Sequence, residues 1–279
     1  MSPIIGIQNT TTVTRNEGSE WDPDALAFIM ATGITDPTEK IAINTLVIDL
    51  KNEGVWTKLQ AIYPVVGGTA TTHKYNLKDP QDLDASFRLT FNGGWTHAAT
   101  GMTPDGTTGF ADTHFNPNVD LLSYTSGTIG VYSRTANATD GVDIGCSDSP
   151  ADLYIRPASV PIPPNPAHTF LYGRFSGNAI DPGTITTDGF IALTRGTSTS
   201  LNCYQTGLDL DGTNTTLMWS LLLVNYSIYL GARNASGSAD LFSDRELAFG
   251  VIGPRLNGTE HLDLYNAIQT YQTTLGRQV

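Results

Sequence analysis

Apolar and polar residues alternate along most of the chain after residue 65, with the period of two that β-strands require. The clearest alternation predicts strands over 85–91, 227–232 and 247–251. Weaker signals predict further strands over 129–133, 169–175, 190–195 and 217–223. Turn sequences such as Asn92-Gly93-Gly94 and Asp140-Gly141 separate these segments. Many short strands with one solvated face predict two sheets packed as a sandwich.

Before residue 65 the apolar pattern has the helical period. Two Asp-Pro pairs, Asp22-Pro23 and Asp36-Pro37, each supply an N-cap residue and a proline at the first helical position. They predict one helix over 24–32 and a second that ends at Gly54, followed by a short helix over 55–62. At the other end of the chain, Thr259 is the expected cap of a C-terminal helix that Gly276 ends.

The second helix has an apolar face that it cannot bury by itself. Ile43, Leu46, Val47 and Leu50 recur at spacings of three and four, so this face must pack on the following strands or on a neighbouring subunit. We therefore expect three parts: an N-terminal arm over 1–21, a helical attachment segment over 22–64, and a β-sandwich domain over 65–279. The arm is either a frayed terminus or an anchor that docks on another chain.

Composition narrows the class of protein. The chain has 279 residues, 39% of them hydrophobic, and a formal net charge of −12. It is therefore long enough for a large core, and its acidity argues against binding the phosphate backbone of nucleic acids. Its apolar runs are too short to cross a bilayer, and we expect neither a signal peptide nor a membrane partner. Cys146 and Cys203 are expected to be two buried thiols, although a disulfide across the sheets remains the alternative.

Catalytic patterns are weak. Glu246 is the one glutamate near a predicted strand, whereas a retaining glycosidase needs two carboxyls about 5 Å apart. Neither a Gly-x-Ser-x-Gly motif nor a phosphate-binding glycine loop occurs, and the five histidines show no zinc-type spacing. We therefore expect a protein that is not an enzyme and that has no cofactor, with calcium as the ion left open below.

Several segments together resemble laminin-G-like, concanavalin-type domains, and in particular a group of bacteriophage virion proteins of the tail or capsid. The resemblance covers about residues 25–279. Its segments are Gly93–Gly106, Gly109–Thr113, Ser227–Asn234, Phe242–Phe249 and Gln272–Arg277, preceded by Ala42–Val47 and Trp56–Pro64. It implies a mainly β fold, a concanavalin-like jelly-roll β-sandwich with an N-terminal helical lead-in and a C-terminal helix. It also implies a place on a virus particle, assembled in the host cytoplasm.

The resemblance also implies a calcium site at a loop edge of the sandwich. Turn residues that offer oxygen ligands are Asp140, Asp143, Asp211 and Asn214. The same Asp-Gly sequences are ordinary hairpin turns. A sugar site would need aromatic side chains beside polar groups. The candidates by residue type are Trp95, His97, Tyr172, Tyr204 and Trp219, although aromatic residues in a sandwich often belong to its core.

The sequence therefore predicts a phage virion structural protein. Its arm and helices would assemble with other virion proteins, its copies would form a homo-oligomer, and its sandwich would face outward, where it could also contact host-surface glycans. The alternative is a carbohydrate-binding adhesin or receptor-binding protein, in which recognition is the primary function.

Overall fold

The computed structural model describes residues 21–121, 123, 126–136, 139–148, 151–158, 170–171, 174–175, 178–179, 186–197, 200–210 and 224–279. The α-helices are α1 (Pro23–Thr32), α2 (Pro37–Asn52), α3 (Ala70–His73), α4 (Pro117–Asp120) and α5 (Gly258–Thr274). Short 3-10 helices span Trp56–Lys58 and Asp84–Ser86. The predicted N-terminal arm, apart from Trp21, lies outside the described residues.

The strands before residue 150 are β1 (Ala61–Tyr63), β2 (Thr90–Asn92), β3 (Trp95–Ala98), β4 (Gly101–Pro104), β5 (Phe110–Asp112), β6 (Gly127–Ser133) and β7 (Ile144–Asp148). Those after it are β8 (Ala151–Ile155), β9 (Pro157–Ala158), β10 (Phe170–Leu171), β11 (Arg174–Phe175), β12 (Asn178–Ala179), β13 (Gly189–Thr197), β14 (Ser200–Gln205), β15 (Leu208–Asp209), β16 (Tyr229–Leu230), β17 (Arg233–Ala235), β18 (Ser238–Asp240) and β19 (Leu247–Gly253).

Two sheets form the sandwich. The larger has the strand order β15-β14-β13-β6-β19-β4-β3, with β1 also paired to β19. The smaller has the order β18-β17-β7-β16-β5-β2, with β8 also paired to β7. The two short pairs β9–β10 and β11–β12 stand apart from both. The fold is therefore mainly β, and the predicted fold class is confirmed.

Two apolar cores follow from the alternation along the strands. In β13, Ile191 and Leu193 belong to the core between the sheets, whereas Phe190 and Ala192 belong to a second core on the outer face of the larger sheet. Residues of α1, α2 and α5 complete that second core. The apolar face of α2 is therefore buried within its own chain, the first of the two alternatives that the sequence left open.

The predicted helices are largely present, because their caps form as the sequence indicates. The Asp22 and Asp36 side chains accept hydrogen bonds from the first amides of α1 and α2. The predicted helix over 55–62 is only the 3-10 turn at Trp56–Lys58, and Ile62 lies in β1. The predicted cap at Thr259 is wrong by two residues: Asn257 caps α5, with its side chain accepting from the Glu260 amide.

The predicted strands at 129–133, 190–195 and 247–251 are confirmed and slightly longer. The strand predicted over 85–91 is mostly wrong, since only its end forms β2. Asp84–Ser86 is a 3-10 turn and Phe87 has a left-handed φ of 58°, so the apolar alternation there does not run along one extended strand. Only Tyr229–Leu230 of the 227–232 segment pairs as a strand. The 217–223 segment lies outside the described residues.

Both cysteines are free and buried, as predicted. Among the described residues, no helix combines the length and the apolar character that spanning a bilayer requires.

Candidate functional site

The candidate site lies where β2 and β3 pass from one sheet to the other. β2 is the last strand of the smaller sheet and β3 the last of the larger one. They are consecutive in the chain and are joined by the turn at Asn92–Gly94. This turn therefore closes one open edge of the sandwich, where side chains meet both sheets and solvent.

The edge turn is locked against the turn between β4 and β5. Gly93 has a φ of 69°, and a Cβ there would lie 2.0 Å from the Thr108 carbonyl oxygen, so only glycine fits. The Gly94 amide donates to Thr108 Oγ1 at 3.1 Å, and the Asp105 amide donates to the Gly94 carbonyl at 3.0 Å. Cross-linked turns of this kind hold the adjacent side chains in one position.

The Asp105 carboxylate organises the second turn. Its Oδ1 accepts from the amides of Thr107, Thr108 and Gly109 at 2.9, 2.7 and 2.9 Å, and its Oδ2 accepts from the Thr108 hydroxyl at 2.5 Å. The Thr108 hydroxyl and these amides hold the pKa of the Asp105 carboxyl well below its usual range. Asp105 is exposed and therefore presents a fixed negative charge beside β3.

Four rings form what we call the edge aromatic cluster: His73, Phe91, Trp95 and His97. The Phe91 ring meets the Trp95 ring at 5.3 Å and the His97 ring at 4.7 Å, both edge-on. Trp95 and His97 are stacked at 6.1 Å with 24° between their planes. Trp95 Nε1 donates to the Asn92 carbonyl at 3.0 Å, which fixes the ring. Phe91, Trp95 and His97 are only half-buried, and Phe91 and Trp95 also pack against the core between the sheets.

A histidine pair supports this cluster from inside. The Nδ1 atoms of His73 and His97 lie 2.9 Å apart, so one ring donates and the other accepts. Burial, with a further contribution from His97, lowers the pKa of His73 to about 3, and burial also lowers the pKa of His97. Both rings are therefore neutral at pH 7. No sequence motif indicates this pair, because 24 residues separate the two histidines.

The other sugar candidates do not join this cluster. Tyr204 is buried, its ring stacked on His261 at a centroid distance of 3.7 Å, and it belongs to the core beneath the helices. Its prediction as a sugar platform is therefore corrected: it is a core residue. Tyr172 and Trp219 lie outside the described residues.

The proposed calcium loop holds an arginine instead. Asp143 is fully buried, and its carboxylate accepts from Arg245 Nε at 2.8 and 3.0 Å and from the Ser243 hydroxyl at 2.6 Å. Arg245 also donates to the carbonyls of Thr139 and Gly141 at 2.5 and 2.7 Å. The oxygens that a metal would need are thus bound to a guanidinium, which corrects the prediction of Asp143 as a calcium ligand.

Asp140 is engaged elsewhere, in a charge pair with Arg156, so it does not converge with Asp143. Asp211 and Asn214 lie outside the described residues. Within the part of the chain that the structure describes, no group of three or more His, Cys, Asp or Glu side chains is placed to hold a metal ion. Glu246, the candidate glutamate, is paired with Arg134 at 2.7 Å.

No family model matches this sequence, and no curated protein matches it. Solved structures do match in fold. The chain is similar to botulinum neurotoxin type C, with 15% identity over 77% of this chain and 52% of that chain and a TM-score of 0.52. It is also similar to domain 4 of a GH43 extracellular arabinanase from Geobacillus stearothermophilus, solved with arabinotriose, with 16% identity over 74% of this chain and 98% of the domain and a TM-score of 0.47.

A sialidase from Trypanosoma rangeli in complex with sialic acid matches at 13% identity over 80% of this chain and 38% of the enzyme, with a TM-score of 0.49. The chain thus spans about half of the neurotoxin chain and less of the sialidase. At 15% identity the likeness to the neurotoxin chain shows the β-sandwich fold alone.

Proposed function

We propose that this protein is a carbohydrate-binding β-sandwich, an adhesin or receptor-binding module, and that it binds glycans at the edge aromatic cluster. The observation that carries the proposal is the meeting of Trp95 and His97 with Phe91 on a half-exposed edge. Two of the residues selected by type from the sequence are brought together there. Aromatic rings held by cross-linked turns need no reordering when a saccharide stacks on them.

The fold supports the same function. Botulinum neurotoxin type C, which shares the sandwich, enters cells in dependence on interaction with two ganglioside molecules. Function does not follow from fold alone, so the proposal rests on the side chains at the edge. We propose binding without a catalytic step, since Asp105 accepts the hydrogen bonds of a turn and Glu246 is paired with Arg134.

Attachment to a larger assembly is the second proposed role, and it fits the predicted virion protein. The outer face of the helices carries exposed apolar side chains, including Met30 at 74% and Ile41 at 55% exposure. Trp21, the last residue of the predicted arm, and Leu26 of α1 are exposed as well. A surface of this kind supports binding to neighbouring chains, with multiple copies strengthening weak glycan contacts.

The glycan function is tested with the full chain on an oligosaccharide array, followed by titration of the best ligand. Trp95→Ala should lower affinity at least about tenfold, as truncation of a central aromatic contact does, whereas Trp95→Phe should retain most of it. Trp21→Ala is the matched control, because it removes an exposed tryptophan that lies just before α1. The proposal fails if the chain binds no glycan, or if folded Trp95→Ala binds as the wild type does.

A further inference from the structure

We propose that the edge aromatic cluster selects uncharged saccharides and discriminates against glycans that end in a carboxylated sugar such as sialic acid. This inference rests on the proposed function, because it specifies the ligand class of that same site. The inference follows from the carboxylates at the turn beside the cluster and from the absence of lysine and arginine on its strands. Since the likeness to known glycan-binding structures is one of fold, the ligand class must come from this chain's own side chains.

Carboxylates lie beside the cluster at the turn between β4 and β5. A Cβ at Gly94, the residue before Trp95, would lie 2.4 Å from Asp105 Oδ2. Asp244 packs on the same turn, with its Cβ 3.2 Å from the position of a Cβ at Gly106. Negative charge therefore lies beside β3, next to the residue that precedes Trp95.

Positive charge is missing from the same strands. The sequence between Arg88 and Arg134 contains no lysine or arginine, and this stretch includes all of β2, β3, β4 and β5. The next two basic residues to consider, Arg134 and Arg277, are both hydrogen-bonded within the protein. Arg134 pairs with Glu246. Arg277 keeps its charge but is buried, and its guanidinium donates to four backbone carbonyls and the Gln272 side chain, so neither arginine can donate to a ligand carboxylate.

The basic residues just before this stretch are also engaged. Lys74 is paired with Asp82 at 2.6 Å and Arg88 with Asp84 at 2.8 Å. These are surface ion pairs, so each cation is balanced by a carboxylate of its own and is not presented as an isolated charge. Among the described residues on these elements, every lysine and arginine thus has an acidic partner or a buried set of carbonyl acceptors.

These charges separate the two classes of glycan. Recognition of a sugar carboxylate is strongest with a guanidinium or ammonium donor, and none is offered here. A carboxylated sugar would instead approach fixed negative charge, and like charges brought together cost binding free energy. Saccharide hydroxyls, in contrast, donate to carboxylate and histidine acceptors while the sugar ring packs on Trp95. Uncharged glycans thus keep the attractive contacts and avoid the repulsion.

The test uses the full chain and pairs of oligosaccharides that differ only in a terminal sialic acid, titrated at about 20 and 300 mM NaCl. The uncharged member should bind about tenfold more tightly at low salt, and the difference should shrink at high salt because screening weakens exposed charges. Equal or tighter binding of the sialylated member at low salt overturns the inference and leaves the proposed function standing. Binding of neither member overturns both.

A charge variant provides an independent readout. Thr107 is exposed on the Asp105 turn, and only its amide takes part in the turn hydrogen bonds. Thr107→Lys should narrow the difference between the two glycans at low salt, whereas the matched control Thr107→Gln should leave it unchanged. If Thr107→Lys binds the pair with the same ratio as Thr107→Gln, local charge does not set the selectivity and the inference is wrong.

Discussion

Arg245 occupies the centre of an oxygen cage built from the 139–143 loop. Its guanidinium binds the Asp143 carboxylate and the Thr139 and Gly141 carbonyls, and both charged side chains are fully buried. A buried ion pair adds little net stability over apolar residues of the same shape, but the loss of one partner leaves an uncompensated charge. The loop conformation is therefore tied to one side chain rather than to a metal ion.

Replacing Arg245 with alanine should lower the free energy of unfolding by about 3–5 kcal/mol, because Asp143 would remain buried without its partner. Urea denaturation measures this change. The double variant Asp143→Leu with Arg245→Met, which removes both charges, should recover much of the loss. In the wild type, EDTA should leave Tm unchanged. A large fall in Tm with EDTA would show that a metal ion, not Arg245, holds the loop.

Two buried histidines make stability depend on pH. Burial lowers the pKa of His73 and of His261 to about 3, against about 6.5 in the unfolded chain. Protons therefore bind the unfolded state more strongly. Their contribution to stability is fully present above pH 6.5 and is lost as pH falls from 6.5 towards 3, at about 1.4 kcal/mol per pH unit for each histidine.

Urea denaturation between pH 7.5 and 5 measures this dependence, in a range where most carboxylates stay ionised. His261→Gln removes one of the two groups, so between pH 7.5 and 5 its stability should fall by about 2 kcal/mol less than that of the wild type, most of it below pH 6.5. The stability of the variant at pH 7 is a separate quantity, since His261 also stacks on Tyr204 and bonds to Thr194 Oγ1 at 2.7 Å. An unchanged slope would contradict the account.

At the scale of elements, the start of α5 shows how side chains choose a helix boundary. Asn257 Oδ1 accepts from the Glu260 amide at 3.0 Å, and Glu260 Oε2 accepts from the Asn257 amide at 2.9 Å. This reciprocal capping box satisfies two amides that the helix itself leaves free. The Asn-x-x-Glu spacing was in the sequence, but Thr259 was equally acceptable as a cap residue by type.

Asn257→Ala should destabilise the protein by about 1 kcal/mol, as the loss of an N-cap does, whereas Thr259→Ala should change stability by less than about 0.5 kcal/mol. Urea denaturation of the two variants beside the wild type makes the comparison. A larger loss for Thr259→Ala than for Asn257→Ala would mean that the helix begins where the sequence pattern first indicated.

Strands were predictable where periodicity and burial agree. In β13 the apolar residues alternate between the two cores, so the pattern alone identifies the strand. In β19 the register shifts between Leu247 and Phe249, so Ala248 and Phe249 both belong to the core beneath the helices. The segment 85–91 alternates as well, but hydrogen bonds to residues earlier in the chain hold its first half in a turn. The Ser86 hydroxyl donates to Asp79 and the Ser86 carbonyl accepts from Asn76, and these bonds stabilise a turn that no local pattern indicates.

At the scale of the whole molecule, the packing of the two sheets and the helices explains why only part of the candidate site could be predicted from the sequence. Trp95 and His97 could be chosen by residue type, but their partners Phe91 and His73 come together only when both sheet edges meet. Arg245 reaches Asp143 across 102 residues, so its place in the predicted calcium loop had no local signal. Residue type indicated which side chains suit a sugar site, and the topology determines which of them lie together.

The central claim is that the β2–β3 edge binds ligand. The most direct test is an NMR titration of the full chain with its best array glycan, observing the indole N–H signals of the four tryptophans. The account predicts that the Trp95 signal shifts with saturation while those of Trp21 and Trp56 stay in place. A saturating glycan that leaves the Trp95 signal unmoved would place binding elsewhere and contradict the account.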